Sequence, residues 1–371
     1  MQPTFSFPTP ILFAPEARGE LREQLGALGS RRPLVVTDAG LAGTRAFDLM
    51  SGCLTGSGAQ ICSQVRANPT DEDVEAVFRV FDEKGCDAVI GFGGGSALDV
   101  AKAIRLRIKH PAASLAEFNP SADWRGLVPF IAIPTTSGTG SEVGRSAVII
   151  IDQRKRVLFH PALLANLVIL DPELTLDLPP GLTAATGADA LTHCIESYTS
   201  PVFHPLCDGI ALEGIHLIAE ALPRAVSHGR NLEARGRMQV AAAMGGIAFQ
   251  KDLGATHSLA HPLSSLCGVH HGLANALCLP AVMEFNARRK PGLYRRVGIA
   301  LGLNSPDDAA VIGAVRRLLE GIGIKPGLRA HGVDESRIDA LADQALADGC
   351  HVTNPVPVTR ADLRLLYVQA L

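Results

Sequence analysis

A carboxylate and several imidazoles in the second half of the chain fall at spacings that can gather a metal ion. Asp189-Ala-Leu-Thr-His193 sets an acid and a histidine at i and i+4, neighbours on one face of a helix. His257-Ser-Leu-Ala-His261 repeats the spacing, and the pair His270-His271 follows beyond Pro262, where the chain is expected to bend. One oxygen and three imidazole nitrogens suit a borderline divalent ion such as Fe(II) or Zn(II), and the lack of paired thiolates nearby argues against a structural zinc knot. A lone histidine on an apolar helix is usually a core residue. Four candidates in two helical pairs, in a chain with only 12 histidines, shift the balance towards a metal, although spacing alone leaves open which of them bind it.

The first half carries a different chemistry. Gly91-Phe-Gly93-Gly94-Gly95-Ser96 joins an expected strand to an expected helix, where backbone N–H groups and the positive helix end can hold a pyrophosphate. It is not the GxGxxG fingerprint, and a tight turn with a Ser96…Asp99 capping box accounts for it equally well. Pro134-Thr-Thr-Ser-Gly-Thr-Gly-Ser-Glu142 is a second loop of small hydroxyl residues and glycines that lets backbone approach ribose or phosphate oxygens. Asp38 directly follows the strand Leu34–Thr37, where a carboxylate accepts from a ribose 2′-hydroxyl and repels a 2′-phosphate, favouring NAD over NADP. An Asx turn is the plain alternative for Asp38.

These groups need elements to hold them. Between about residues 10 and 175, short β-branched runs alternate with amphipathic stretches: strands at 33–37, 59–65, 86–91 and 127–133, helices from about Thr44, over 71–84 and from Ser96, and a hairpin at 147–159. That is the pattern of a doubly wound α/β domain. Beyond Pro179-Pro180-Gly181 the chain is rich in Ala, Leu and Gly at helical spacing, with breaks expected at Pro201, Pro223, Pro262, Pro280, Pro326 and Pro355. The expected division is an α/β dinucleotide-binding domain over 1–178 and an all-α metal-binding domain over 179–371.

Composition narrows the partners. With 47% hydrophobic residues, 34 basic against 37 acidic side chains and no basic run, the chain is globular and shows no footprint for nucleic acid or an anionic membrane. No apolar stretch approaches the roughly 20 residues of a membrane helix, and the eight scattered cysteines read as reduced thiols, so a cytoplasmic protein with a small-molecule ligand is expected.

Taken together, Gly93-Gly-Gly-Ser-Ala-Leu-Asp-Val-Ala-Lys102, the 134–142 loop, Ala184-Ala-Thr-Gly-Ala-Asp-Ala-Leu-Thr-His193, Gly254-Ala-Thr-His-Ser-Leu-Ala-His-Pro262 and His271-Gly-Leu-Ala-Asn-Ala276 resemble the iron-containing (group III) alcohol dehydrogenases over nearly the whole chain. The resemblance implies the dehydroquinate synthase-like fold of that family, with Asp189, His193, His257 and His271 as ligands of Fe(II), or of Zn(II), and His261 beside the nicotinamide as a catalytic non-ligand. For NAD(H) it implies Asp38 at the adenosine ribose, Asn68, Gly94, Gly95 and Ser96 near phosphates and ribose, Asp99 near the nicotinamide end, Thr135 and Thr136 around the adenine, and Lys155 at a ribose. It further implies NAD-dependent oxidation of a small alcohol or reduction of an aldehyde or ketone, His261 relaying a proton or positioning the ring, and a homodimer. His270 stands where many members have Pro, and Asp252 where a small residue is expected; neither removes a ligand. Phe249 and Cys350 are candidates for a substrate wall. A maleylacetate reductase, or a dehydroquinate-synthase-like lyase, is the alternative within the same fold, and a non-enzymatic metal or nucleotide sensor the alternative outside it.

Overall fold

Runs of Val, Ile and Leu that alternate with amphipathic helices become a parallel sheet buried on both faces, as such runs require. In the computed structural model, which describes residue 7 and residues 9–371, the strands are β1 (Ile11–Phe13), β2 (Pro33–Asp38), β3 (Gln60–Val65), β4 (Ala88–Gly93), β5 (Phe130–Pro134), β6 (Ser146–Ile151), β7 (Arg154–Phe159) and β8 (Leu167–Leu170). Six of them form one sheet in the order β1-β8-β5-β4-β2-β3, every pairing parallel, and β6 and β7 form a separate hairpin. The chain winds outwards from β2 to β3 and then back to β4 on the other side of β2, so the carboxyl ends of β2 and β4 flank the point where ligands bind in such sheets. Helices α1 (Leu21–Ala27), α2 (Arg45–Cys53), α3 (Asp71–Glu83) and α4 (Gly95–Lys109) belong to this unit, and a buried ion pair from Arg18 to Asp171 ties the start of the chain to the end of β8.

The helical part contains α5 (Pro180–Thr199), α6 (Pro205–Ser227), α7 (Leu232–Ala248), α8 (Ala255–Cys267), α9 (His271–Arg289), α10 (Arg295–Ala300), α11 (Asp308–Gly321), α12 (Ile338–Ala347) and α13 (Arg360–Ala370) around a single Ala- and Leu-rich core. The chain divides into two compact units, Phe7–Thr136 with Gly140–Asp177, and Leu178–Leu371 joined by Ser137–Thr139. Among the described residues no helix is long and apolar enough to cross a membrane, and the eight cysteines remain thiols.

Two local expectations are corrected. Pro223, Pro262 and Pro280 lie inside α6, α8 and α9 and do not end them. A proline inside a helix costs about 3 kcal/mol. Complete burial of Leu259, Ala260 and Leu263 around Pro262 supplies a compensation of that order. The Ser96…Asp99 capping box also does not form: α4 starts at Gly94 without a side-chain cap, and the Ser96 hydroxyl donates instead to the Ala67 carbonyl at 2.7 Å.

Beside α4, the unit buries charge. Lys102 is fully buried and donates to Ser141 Oγ at 2.7 Å and the Ser146 carbonyl at 2.6 Å, and Glu142 is buried close by. Burial pushes the Glu142 carboxyl up to about 7, with the Lys102 charge pulling the other way. Folding therefore favours protonated Glu142: its contribution is complete below the ordinary carboxyl range and is lost as pH rises through about 7. Wild-type protein is expected to resist denaturant better near pH 6 than near pH 8, and Glu142→Gln to shrink that difference by about 1 kcal/mol or more. An unchanged difference in the variant would show that Glu142 is ionised throughout.

Candidate active site

Helix α5 is buried over almost its whole length, because Ala, Leu and Ile occupy every face and the polar side chains it carries turn inwards together. Asp189, His193 and Glu196 fall at i, i+4 and i+7 on one stripe of it. His257 comes from the first turn of α8 and His271 from the first residue of α9. The helices meet because Gly272 has no side chain: a Cβ there would lie 2.1 Å from the Ala185 carbonyl oxygen and 3.1 Å from Asp189 Cβ. On the other side, a Cβ on Gly245 of α7 would sit 3.1 Å from His193 Cβ.

The structure brings Asp189, His257 and His271 together, with one ligand atom from each within 4.8 Å of the others. Asp189 Oδ1 lies 3.8 Å from His257 Nε2 and 3.4 Å from His271 Nε2. His193 borders this group without joining it: its Nε2 is 4.0 Å from Asp189 Oδ1, and its ring stacks on His257 with centroids 4.7 Å apart. His261 lies one turn along α8, its ring stacked on His271 at 5.2 Å, and its Nδ1 bonds to Asp348 Oδ2 at 2.7 Å. Asp348 Oδ1 accepts from Ser258 Oγ and the Cys350 amide, so Cys350 sits beside the same carboxylate, and the Phe249 ring packs 5.3 Å from His193. His270 occupies the N-cap of α9, and Asp252 takes a left-handed backbone conformation with φ 62°.

The electrostatics fit a cation. Burial alone would raise the Asp189 carboxyl, but the three imidazoles and the Asn275 amide outweigh it and hold it at about 2. Burial pushes His193 down to about 4 and His271 well below its ordinary value, so both are neutral near pH 7 and keep a lone pair. His257 moves the other way: burial lowers it, and the bond and charge of Glu196 more than reverse that. The Asn275 Nδ2 group lies 2.7 Å from Asp189 Oδ1, 3.1 Å from His257 Nε2 and 3.2 Å from His271 Nε2. Three acceptors thus converge on a group with two hydrogens, a deficit of positive charge that a divalent ion fills.

Glu196, Asn275 and Asp348 escape a reading of the sequence. Glu196 had a signal, since it extends the Asp189/His193 stripe by one more turn. Asp348 had none, because the pair it forms with His261 joins residues 87 apart.

In the sheet unit the cofactor candidates gather at the carboxyl ends of β2, β4 and β5. Gly93 has φ 147°, and a Cβ there would lie 2.9 Å from Ala97 Cβ, so only glycine allows the chain to turn into α4 so tightly. Gly94 lies against Thr136, the Thr135 amide donates to the Gly93 carbonyl, and the first turn of α4, carrying Gly95 and Ser96, lacks a side-chain cap. The amides there are free for an anion. Asp38 Oδ1 accepts from the Leu41 amide three residues on at 2.9 Å, a cap-type bond, while Oδ2 points towards Gly93. Asn68 is exposed in the loop next to Ala67, which Ser96 holds. Lys155 lies on β7 near Asp99, and burial lowers its pKa. Asp99 is committed internally: Oδ1 accepts from Ser141 Oγ at 2.6 Å and Oδ2 from the Val148 amide at 3.0 Å.

A doubly wound sheet with a glycine turn at its switch point, and a helical unit with a buried carboxylate–imidazole cluster, define the class of nucleotide-linked metalloenzymes. Residues 8–172 match the iron-containing alcohol dehydrogenase model, and residues 183–371 match the C-terminal model of the Fe-containing alcohol dehydrogenase family. The chain is 40% identical to a 4-hydroxybutyrate dehydrogenase of Cupriavidus necator over 95% of both chains, and 34% identical to an NAD-dependent methanol dehydrogenase of Bacillus methanolicus over 95% of this chain and 97% of that one. It superposes on a crystal structure of a 1,3-propanediol oxidoreductase with a TM-score of 0.95 and 34% identity over the whole of both chains. The chain belongs to the iron-containing alcohol dehydrogenase family.

The glycine contact between α5 and α9 is open to test. Gly272→Ala is expected to lower stability by about 1–3 kcal/mol and to abolish metal retention, as read by thermal melting and metal analysis of purified protein. Full metal content in the variant would show that Asp189 and His271 do not depend on that contact.

Proposed function

We propose that the protein is a metal-dependent alcohol dehydrogenase that uses NAD(H) with a small alcohol and the corresponding aldehyde or ketone. The observation that carries this reading is the convergence of Asp189, His257 and His271 on one point inside the helical unit. Asp189, His257 and His271 would hold the ion with His193 closing the set, and iron is the choice that family membership favours, although the donors suit zinc as well. When bound there, such an ion would supply Lewis acidity towards an alcohol or carbonyl oxygen, and a bound nicotinamide would supply the hydride chemistry.

The chain's own residues do the rest. His193 and His271 keep their lone pairs because burial holds them neutral, and His257 presents its Nε2 because the Glu196 carboxylate accepts at its Nδ1. The Asp348 carboxylate accepts from His261 Nδ1, which leaves Nε2 as the atom that takes the hydroxyl proton or returns it. The uncapped start of α4 receives the pyrophosphate, and Asp38 faces the ribose. A homodimer and a cytoplasmic location complete the proposal, in keeping with reduced thiols and no membrane-spanning helix among the described residues.

Protein purified without oxygen and loaded with Fe(II) is expected to oxidise members of a small-alcohol panel with NAD. His257→Ala is expected to lose the ion. His261→Ala is expected to keep it and to slow turnover by about 10²–10⁴-fold. Metal-free His261→Ala beside metal-replete His257→Ala would reverse the two assignments, and wild-type protein without turnover on any alcohol or aldehyde would leave a sensor.

Cofactor choice is tested separately. Wild type is expected to have a kcat/KM for NAD well above that for NADP, and Asp38→Gly to narrow the ratio by about tenfold, the equivalent of 1.4 kcal/mol of removed repulsion. Equal use of both cofactors by wild type would leave Asp38 only its turn.

A further inference from the structure

Glu196 is buried two turns along α5 from Asp189 and lies outside the group of atoms that would touch an ion. The hydrogen bonds of its carboxylate go to the start of α8. Oε2 accepts from the Gly254 amide at 3.0 Å and from His257 Nδ1 at 2.7 Å, and Oε1 accepts from the Thr256 amide at 2.7 Å. The N-cap of α8 is Gly254, which has no side chain to satisfy these amides, so a carboxylate from another helix does so. Gly254 is itself part of the arrangement, because a Cβ there would lie 2.7 Å from Glu196 Oε1 and 3.1 Å from Asn354 Oδ1. The neighbouring Ala255 amide is held by Asn354 Oδ1 at 3.2 Å. With a carboxylate on one ring nitrogen, His257 carries its proton on Nδ1 and turns the Nε2 lone pair towards Asp189.

We propose that Glu196 is the positioning residue of the metal centre, one carboxylate that fixes both the first turn of α8 and the tautomer and rotation of His257, so that ion affinity depends on a group that never touches the ion. The inference rests on the metal reading above. A carboxylate behind a ligating histidine orients the ring, and its loss typically costs 10–100-fold in affinity. Acting only as a helix cap, Glu196 would contribute to stability and leave the affinity of folded protein unchanged.

Glu196→Gln separates these roles. An amide cannot accept from His257 Nδ1 and from both backbone amides at once, and turned with its NH₂ towards Nδ1 it forces the proton onto Nε2, removing the lone pair. Apo wild type and apo variant, prepared by chelation and checked for cooperative melting, are titrated with Zn(II) against a chromophoric chelator, with the Co(II) absorption spectrum and the ¹⁵N shifts of the His257 ring as further readouts. The expected result is a folded variant that binds Zn(II) 10–100-fold more weakly, with an altered Co(II) spectrum and His257 in the Nε2–H form. Binding within twofold of wild type, with an unchanged tautomer, overturns the inference alone. Wild type that takes up neither Zn(II) nor Co(II) overturns the metal reading and this inference with it. If Glu196→Gln does not fold, Gly254→Ala decides: it leaves the carboxylate chemistry intact but displaces it, and affinity equal to wild type overturns the proposal while a loss of tenfold or more supports it.

Discussion

A carboxylate can be buried only if its charge is answered, and Asp189 is 2% exposed in a helix buried over almost its whole length. Much of the helical unit follows from that constraint. Imidazoles must approach from α8 and α9, so those helices have to begin at the site and not merely pass it. Gly272 exists to let α9 come within backbone contact of α5, and Gly245 lets α7 press against His193. Each imidazole then needs an arrangement of its own: His257 has Glu196 behind it, His261 has Asp348, and His271 shares the Asn275 amide with Asp189. The hydrogen bonds of the polar network join residues up to 99 apart, and the network is paid for by the alanine-rich packing around it.

The sheet unit obeys a gentler rule. Its requirement is open backbone, not buried charge. Gly93 turns where a side chain would strike Ala97, α4 begins without a cap, and Thr136 packs against Gly94. Ser96 spends its hydroxyl on the Ala67 carbonyl and so leaves the amides of α4 exposed instead of satisfying them itself. Asp99, by contrast, is consumed by Ser141 and Val148 in holding the hairpin to α4.

What could be read from the sequence was what repeats at short range. The strands and the glycine turn showed through β-branched runs and punctuation, and the Asp189/His193 and His257/His261 pairs through helical spacing. Element ends shifted by a few residues: β4, expected over 86–91, runs Ala88–Gly93. Strand β8, the short edge strand β1 and helix α1 did not stand out, each being too short to show a period. Three prolines misled because tertiary burial outweighs a lost helix bond, and propensity cannot see burial. Asp348 stayed hidden for a related reason: its partners Ser258 and His261 are distant in sequence. Glu196 continues the Asp189/His193 stripe, but its partner His257 lies 61 residues away.

The order of the strands also sets a timetable. Ile11 of β1 pairs with Val168 of β8, so β1 waits for its neighbour until roughly 150 further residues have been made. At about 5–20 residues per second that is on the order of 10–30 s. Once β5 itself is made, its edge, which lies against β8 in the finished sheet, keeps its amides and carbonyls unpaired until Leu167–Leu170 follows. The segment Leu167–Leu170 is therefore the stitch that closes the sheet, and a nascent chain stalled before it would present the strand edge most apt to recruit a chaperone or another copy of itself.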